Sequence, residues 1–539
     1  MTASLPTHLA AQAPVGVLWR APQLWWLLAL ALGVRAWQLG SPVLWYDEAY
    51  SVMLGQLPLG QIWALAGHDV HPPLYYLLLH GWMALFGDSV PAVRSLSVLA
   101  GGVSVLLAVW LVRLLATARA AWLAGLLLAV LPIAVRYSQE ARMYALLVVW
   151  LLGATLALVY WLRAPARVAP LVVYGLLMSA GFYTHYFTAL AVLAHWSYLA
   201  LARLRTGNRG LLAPRWWLVN AAIAACFLPW VPHLLAQLAG AGNLDWVPAP
   251  TAQALPGIFW QFLILGPGSG LPAPIWWLLP LVVWAVLGTL VWRDRGERQF
   301  DTLLVCCALV PLLGALLMSL QRPLFYPRYL IFAASMLPVV LGVAIDRGLS
   351  AHRPAAALLL AMTLWLSGLG LFNLYTVGEV VPGVDAGDNR LDEVGAYVNQ
   401  HYRAQDALVV DAPFWYFSVA YYNRTPATPW LLTAPSVKGR PKDSGAPSVL
   451  YPRADSVFLD RFSLLPASTC RLWLIGGANF NIDDPELSRD WLKTGGYQQG
   501  RTIARLYERR GAGCTGEHPP RCCSSNRRSA IAQVSNRQL

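Results

Sequence analysis

Two adjacent carboxylates, Asp47 and Glu48, stand in the run Trp45-Tyr46-Asp47-Glu48-Ala49-Tyr50, just past the first long apolar segment of a largely apolar chain. Hydrocarbon offers a carboxylate no solvation, so ionisable groups gathered at one membrane face mark a functional site by default. Such a pair can take a proton from a hydroxyl or position a second reactant. The plainer reading makes Asp47 the cap of a helix starting near Ala49, with Glu48 a solvated neighbour.

Further on, His68-Asp69-Val70-His71-Pro72-Pro73-Leu74-Tyr75-Tyr76 supplies two histidines around an acid. This is either an exposed polar loop or half of a divalent-metal site whose donors would come from Asp47, His68, Asp69 and His71. In Arg136-Tyr137-Ser138-Gln139-Glu140-Ala141-Arg142-Met143-Tyr144, the side chains of Gln139, Glu140 and Arg142 suit the orientation of a sugar or a phosphate. Alternatively, Arg136 and Glu140 pair at i,i+4 and seal an interface. His185, in Tyr183-Thr184-His185-Tyr186, and Arg328-Tyr329 add basic and aromatic groups. Arginine is a natural anchor for a pair of phosphate oxygens, and snorkelling at a span end is the plainer role for Arg328 and Tyr329.

The elements that position these groups must be membrane helices. Hydrophobic residues make up 57% of the 539 positions and charged ones 12%, and the mean hydropathy is +0.50, values that indicate a polytopic membrane protein. The net charge of +13 reflects arginines scattered between apolar runs, not a nucleic-acid-binding face. Apolar segments near 21–40, 94–115, 119–136, 143–162, 167–183, 185–202, 216–236, 273–292, 302–320, 329–346 and 354–375 predict about eleven spans. The first reads as a retained anchor, lacking a small-residue cleavage site. No internal repeat is evident in the chain.

Alternate connections hold Arg113 and Arg119; Arg163 and Arg167; Arg203, Arg205, Arg209 and Arg215; Arg293, Arg295 and Arg298; Arg347 and Arg353. By the positive-inside rule these are cytoplasmic, which puts the carboxylates and histidines of the other set outside. The first outer loop, 41–90, includes thirteen largely apolar residues bounded by Pro73 and Gly87, too few to span and suited to an interfacial helix.

Residues 1–376 thus form the membrane domain and 377–510 a small extracytoplasmic α/β domain. In the latter, 388–403 reads as an amphipathic helix and 406–411 and 472–475 as buried strands. The tail 511–539 reads as disordered. Its cysteines, Cys514, Cys522 and Cys523, together with Cys470, Cys226, Cys306 and Cys307, show no metal-ligand spacing. The fold class is therefore mainly α, a polytopic transmembrane bundle with an interfacial segment in the first outer loop and a C-terminal α/β domain.

Through Tyr46-Asp47-Glu48-Ala49, His71-Pro72-Pro73-Leu74-Tyr75-Tyr76, Gln139-Glu140-Ala141-Arg142 and Arg328-Tyr329-Leu330, residues 40–376 resemble the lipid-dependent glycosyltransferases of the GT-C superfamily. The similarity is to the protein O-mannosyltransferase-like, family thirty-nine branch, which includes bacterial transferases acting on lipid A and lipopolysaccharide cores. The resemblance implies a hexosyl or pentosyl donor carried on a polyprenyl phosphate and transfer with inversion to a lipid, glycan or protein acceptor. The expected setting is the plasma (inner) membrane, with the active site facing the periplasm or exterior. No cytoplasmic connection is long enough to house a nucleotide-sugar domain, which agrees with a lipid-borne donor.

The resemblance makes Asp47 the general base, with Glu48 positioning the acceptor or substituting as base. It makes His71, Tyr75, Gln139, Glu140, Arg142, His185, Arg328 and Tyr329 the donor and phosphate contacts. No cofactor is required, while a divalent metal is left open. Lipid A transferases of the superfamily commonly carry lysine before the Pro-Pro pair, where this chain has His71. The rival classes are a transporter or flippase without chemistry, which would place coupling charges near the bilayer midplane, and a polysaccharide polymerase or ligase.

Overall fold

The computed structural model describes residues 21–239, 247–376, 380–381, 384–385, 389–433, 457–478 and 485–510. The tail from 511, with its three cysteines, and residues 386–388 of the polar run after the last span lie outside these. By contact the described chain falls into two compact units, one drawn from 1–42 and 54–381, the other from 43–53 and 382–539.

The larger unit is helical, as the apolar runs predict. Among the described residues seven helices are long and apolar enough to cross a membrane, or eight if the bent pair Ala118–Ala129 and Pro132–Ser138 is one span. Shorter or less apolar helices, Pro22–Ala36, Ala169–Phe182 and Thr188–Thr206, coincide with the three other expected segments. The thirteen-residue run between Pro73 and Gly87 is the helix Leu74–Phe86. It ends at Gly87, whose φ of +80° a residue with a Cβ adopts only at a cost. Two short apolar helices, Leu59–Ala66 and Ala254–Ile264, were not anticipated.

The segment expected as one span over 119–136 is instead broken by 57°. Pro132 supplies the reason, because it cannot donate to the carbonyl four residues back. That carbonyl, Leu128 O, and its neighbour Ala129 O accept from Arg35 of the first helix, at 3.2 and 2.8 Å. Arg35 also donates to Ala31 O and to Ser138 Oγ beyond the break. Gly101 leaves room for this, since a Cβ there would lie 2.4 Å from Ser138 Oγ and 2.5 Å from Arg35 Nε. A buried arginine thus satisfies the backbone groups that the proline frees.

In the smaller unit, the strands run in the order 458–459, 430–432, 407–410, 471–477, 502–509, 491–499. The first four are parallel, Thr502–Arg509 adds antiparallel to Arg471–Gly477, and Trp491–Gln499 pairs antiparallel with Thr502–Arg509. All four residues of Ala407–Val410 are buried, the pattern of a parallel strand covered on both faces. Val409, Leu472, Leu474, Phe462 and Trp491 share its core. The helices Leu391–His401 and Pro413–Tyr422 belong to this unit. The antiparallel hairpin, 491–509, escaped the sequence reading; its turn uses Gly500 at φ +55°. Cys470 is in a disulfide, and Cys226, Cys306 and Cys307 are free.

Candidate active site

In the larger unit several buried polar groups lie in connections between helices. Pro72-Pro73 sets the start of the helix Leu74–Phe86, and Leu74 N donates to Tyr183 O at 2.9 Å, which joins the segment 41–90 to the connection carrying His185. Tyr76 then turns back, and its Oη donates to Asp69 Oδ2 at 2.9 Å. Arg142 lies between the helices Pro132–Ser138 and Tyr144–Arg163. Its Nη1 is 3.4 Å from Tyr76 Oη and its Nη2 3.4 Å from His71 Nδ1. His71 Nδ1 is 3.8 Å from Asp69 Oδ2, too long for a hydrogen bond but close enough for a strong electrostatic contact.

Burial alone would raise the pKa of Asp69. The neighbouring His71 and the Arg142 charge outweigh it, and the pKa falls below the ordinary carboxylate value. The carboxylate is therefore ionised at neutral pH although it is only 8% exposed. The result is a buried anion, phenol, imidazole and guanidinium fixed against one another.

His185 closes the group. Its ring centroid lies 5.5 Å from that of His71 and 5.6 Å from that of Tyr329. Burial, together with the nearby His71 and Arg142, pushes its pKa well below the usual imidazole value, so the ring is neutral. Its Nδ1 accepts from the Phe187 amide at 3.1 Å, which leaves the proton on Nε2. Among the described residues, Nε2 is buried with no hydrogen-bond partner. Such a donor is costly to leave unmatched, and an anionic oxygen would satisfy it.

Arg328 and Tyr329 are buried in the 3-10 turn Pro327–Leu330, and Tyr329 joins the group through its ring. Arg328 stacks 5.2 Å from the centroid of Tyr326, a cation–π contact, and Tyr329 packs on Phe187. Tyr75 is fully buried against Tyr76.

Other expected site residues have different partners. Gln139 donates to the carbonyls of Arg35 and Trp37, at 3.0 and 2.7 Å, tying the end of the first helix. Glu140 pairs with Arg136 at 3.2 Å, the i,i+4 arrangement. His68 turns its Nδ1 to Ala64 O at 3.0 Å. Among the described residues no three His, Cys, Asp or Glu side chains converge to hold a metal ion.

Asp47 and Glu48 belong to the other unit. They occupy the first turn of the helix Tyr46–Gly55, which starts three residues earlier than a capping role for Asp47 required. Ser51 Oγ donates to the Asp47 carbonyl at 2.8 Å, and Tyr46 and Tyr50 pack on Phe417. Glu48 is buried and Asp47 partly so. Sequence reasoning missed the pairing of Tyr76 with Asp69 and the role of Arg35. The signal for the first was a second tyrosine after Pro-Pro, and for the second a lone arginine in an apolar run facing a distant proline.

Residues 70–233 match the family model described as dolichyl-phosphate-mannose-protein mannosyltransferase. No curated protein matches the chain. Among solved structures the fold is similar to ArnT from Cupriavidus metallidurans in the apo state, with a TM-score of 0.59 and 15% identity over 91% of this chain and 98% of that one. It is likewise similar to ArnT bound to undecaprenyl phosphate, with a TM-score of 0.60 and 14% identity over 92% and 99% of the two chains. At such identities the likeness is one of fold.

Proposed function

We propose that this chain, a multi-pass membrane protein with the fold of the GT-C glycosyltransferase superfamily, moves a sugar from a polyprenyl-phosphate donor to an acceptor hydroxyl on the extracytoplasmic side, with inversion. The observation that carries the reading is the buried set Arg142, His71 and neutral His185, whose Nε2 proton has no partner among the described residues. It is a preorganised set of donors for a phosphate oxygen.

In the proposed reaction the acceptor oxygen attacks the anomeric carbon from the face opposite the phosphate. The new carbon–oxygen bond forms as the bond to the phosphate oxygen breaks, and the electron pair leaves with the polyprenyl phosphate. Asp47 takes the hydroxyl proton as general base, and Glu48 positions the acceptor. Charge growing on the leaving phosphate is met by Arg142, by the Nε2 proton of His185, by His71, and by Arg328 and Tyr329. Donors of this kind stabilise the transition state without reorganising when charge develops. Asp69 touches none of the reacting atoms; it holds Tyr76 and balances Arg142.

The test is to incubate the purified protein with labelled polyprenyl-phosphate sugars and candidate acceptors. Asp47→Asn should lose transfer by about 10²- to 10⁴-fold, the usual worth of general base catalysis, while still binding donor. Full transfer by this variant would remove Asp47 from the mechanism. Movement of labelled donor between leaflets without product would support the transporter class instead.

A further inference from the structure

A second cluster of arginines lines a cavity of about 880 Å³ in the membrane unit, within the usual span of roughly 300–1,000 Å³ for ligand sites. One wall is apolar, formed by Val286 and Leu290 of the helix Ala273–Arg293 and by Ala355 and Leu359 of the helix Arg353–Thr376. Both helices are mostly unburied by protein, at 22% and 28%, so the wall opens towards lipid. At the mouth stand Arg293, Arg295, Arg298 and Arg347.

The two acids at the mouth are already engaged. Asp294 Oδ2 accepts from the Thr302 amide and hydroxyl, each at 2.9 Å, fixing the start of the helix Phe300–Met318. Asp301 forms an ion pair with Arg347, with Nη2 to Oδ1 at 2.9 Å. Among the described residues, the side chains of Arg293, Arg295 and Arg298 have neither a hydrogen bond nor an ion pair. Positive charge is therefore in excess at the mouth and lies directly above an acyl-compatible wall.

We propose that this cavity binds an anionic glycerophospholipid, its phosphate between Arg293, Arg295 and Arg298 and its chains along Val286, Leu290 and Ala355. An arginine fork matches phosphate oxygens in geometry as well as in charge. Basic pockets between membrane helices on the arginine-rich side suit lipid head groups. The four arginines belong to connections that the positive-inside rule assigns to the cytoplasmic face, where anionic lipid is presented. This inference is independent of the transfer reaction, and its ligand is a bulk membrane component.

Native mass spectrometry of the full-length detergent-purified protein tests it, with phosphatidylglycerol, phosphatidylcholine and inorganic phosphate as separate probes. Wild type should retain phosphatidylglycerol, and should hold phosphatidylcholine and inorganic phosphate at least tenfold more weakly. Arg293→Gln with Arg295→Gln should weaken retention about tenfold or more, since each basic group near anionic lipid is worth about a fivefold factor. Both residues are exposed, so the fold should survive. Ala355→Trp, which fills the wall and keeps every charge, should weaken phosphatidylglycerol as well. Arg167→Gln with Arg209→Gln, in other basic connections, should change nothing. Equal binding of phosphatidylcholine, an equal loss in that control, or full retention in the Ala355→Trp protein would each overturn the proposal. So would inorganic phosphate binding as tightly as the lipid.

Discussion

Asp69 and Asp411 are similarly inaccessible to water, at 8% and 6% exposure, yet their pKa values are shifted in opposite directions. Asp69, in the membrane unit, has a phenol, an imidazole and a guanidinium around it, and its pKa is lowered. Asp411 follows the central strand Ala407–Val410 of the C-terminal sheet and lies against Gly476, which has no Cβ to exclude it. Among the described residues, neither of its oxygens has a hydrogen-bond partner of normal geometry. Burial pushes its pKa up to about 7, and the Arg505 charge with the nearby amides of Gly477 and Asp411 itself offsets only part of the effect. Burial is common to both, so the neighbours decide the charge.

If the neighbours of Asp69 set its charge, removing one should break the site. Arg142→Ala is expected to lower transfer by about 10²-fold or more and also to lower the Tm, because it strands a buried carboxylate. Adding Asp69→Asn should recover thermal stability but not transfer, so recovery of both would place Arg142 in a purely structural role. His185→Phe keeps an aromatic ring and removes the Nε2 donor. A loss in transfer of roughly 10²-fold is expected, beside a modest fall in Tm because the Phe187 amide loses its acceptor, and unchanged kinetics would exclude phosphate contact.

The two aspartates should differ in sign when stability is followed against pH. The folded pKa of Asp69 is depressed, so its contribution is present above the unfolded value of about 4 and lost as pH falls through the folded one. For Asp411 the folded pKa is raised, so stability is full below about pH 4 and lost as pH rises towards 7. Asp411→Asn should therefore raise the Tm of the C-terminal unit at pH 8 and leave it unchanged near pH 4. Asp69→Asn should lower stability at pH 7 and lose its effect towards pH 3. His185, with its lowered pKa, adds stability that is lost as pH falls below about 6.5, since only the unfolded chain then takes up the proton. The smallest effect belongs to Gln139→Ala. Loss of two bonds to the first helix should cost about 1–3 kcal/mol, read as a lower Tm, with the KM for donor nearly unchanged.

Spans and the short apolar helix after Pro73 were legible because both depend on length and polarity alone. Thirteen residues between Pro73 and Gly87 cannot cross hydrocarbon, and they form the helix Leu74–Phe86. His71, Arg142, His185 and Tyr329 were legible as chemistry-bearing types in connections on one side, and they come together. Gln139 and Glu140 looked the same in sequence. Which of these neighbours faces a carbonyl, an arginine or the histidines depends on the 57° break at Pro132, and no local pattern encodes that angle. Asp411 was read only as the end of a strand, because the lack of a partner is a property of the folded surroundings.

Arg35 has a consequence for how the protein is made. It leaves the ribosome about a hundred residues before Leu128 and Ala129, the carbonyls to which it will donate. Until they arrive, the first helix carries an uncompensated cation into the bilayer, a burden approaching 2.5–3.5 kcal/mol for an arginine near mid-helix and less near an end. Early biogenesis intermediates should therefore be shallow or reversible in the membrane, and the anchor should become fixed only once the segment containing Pro132 has been inserted beside it.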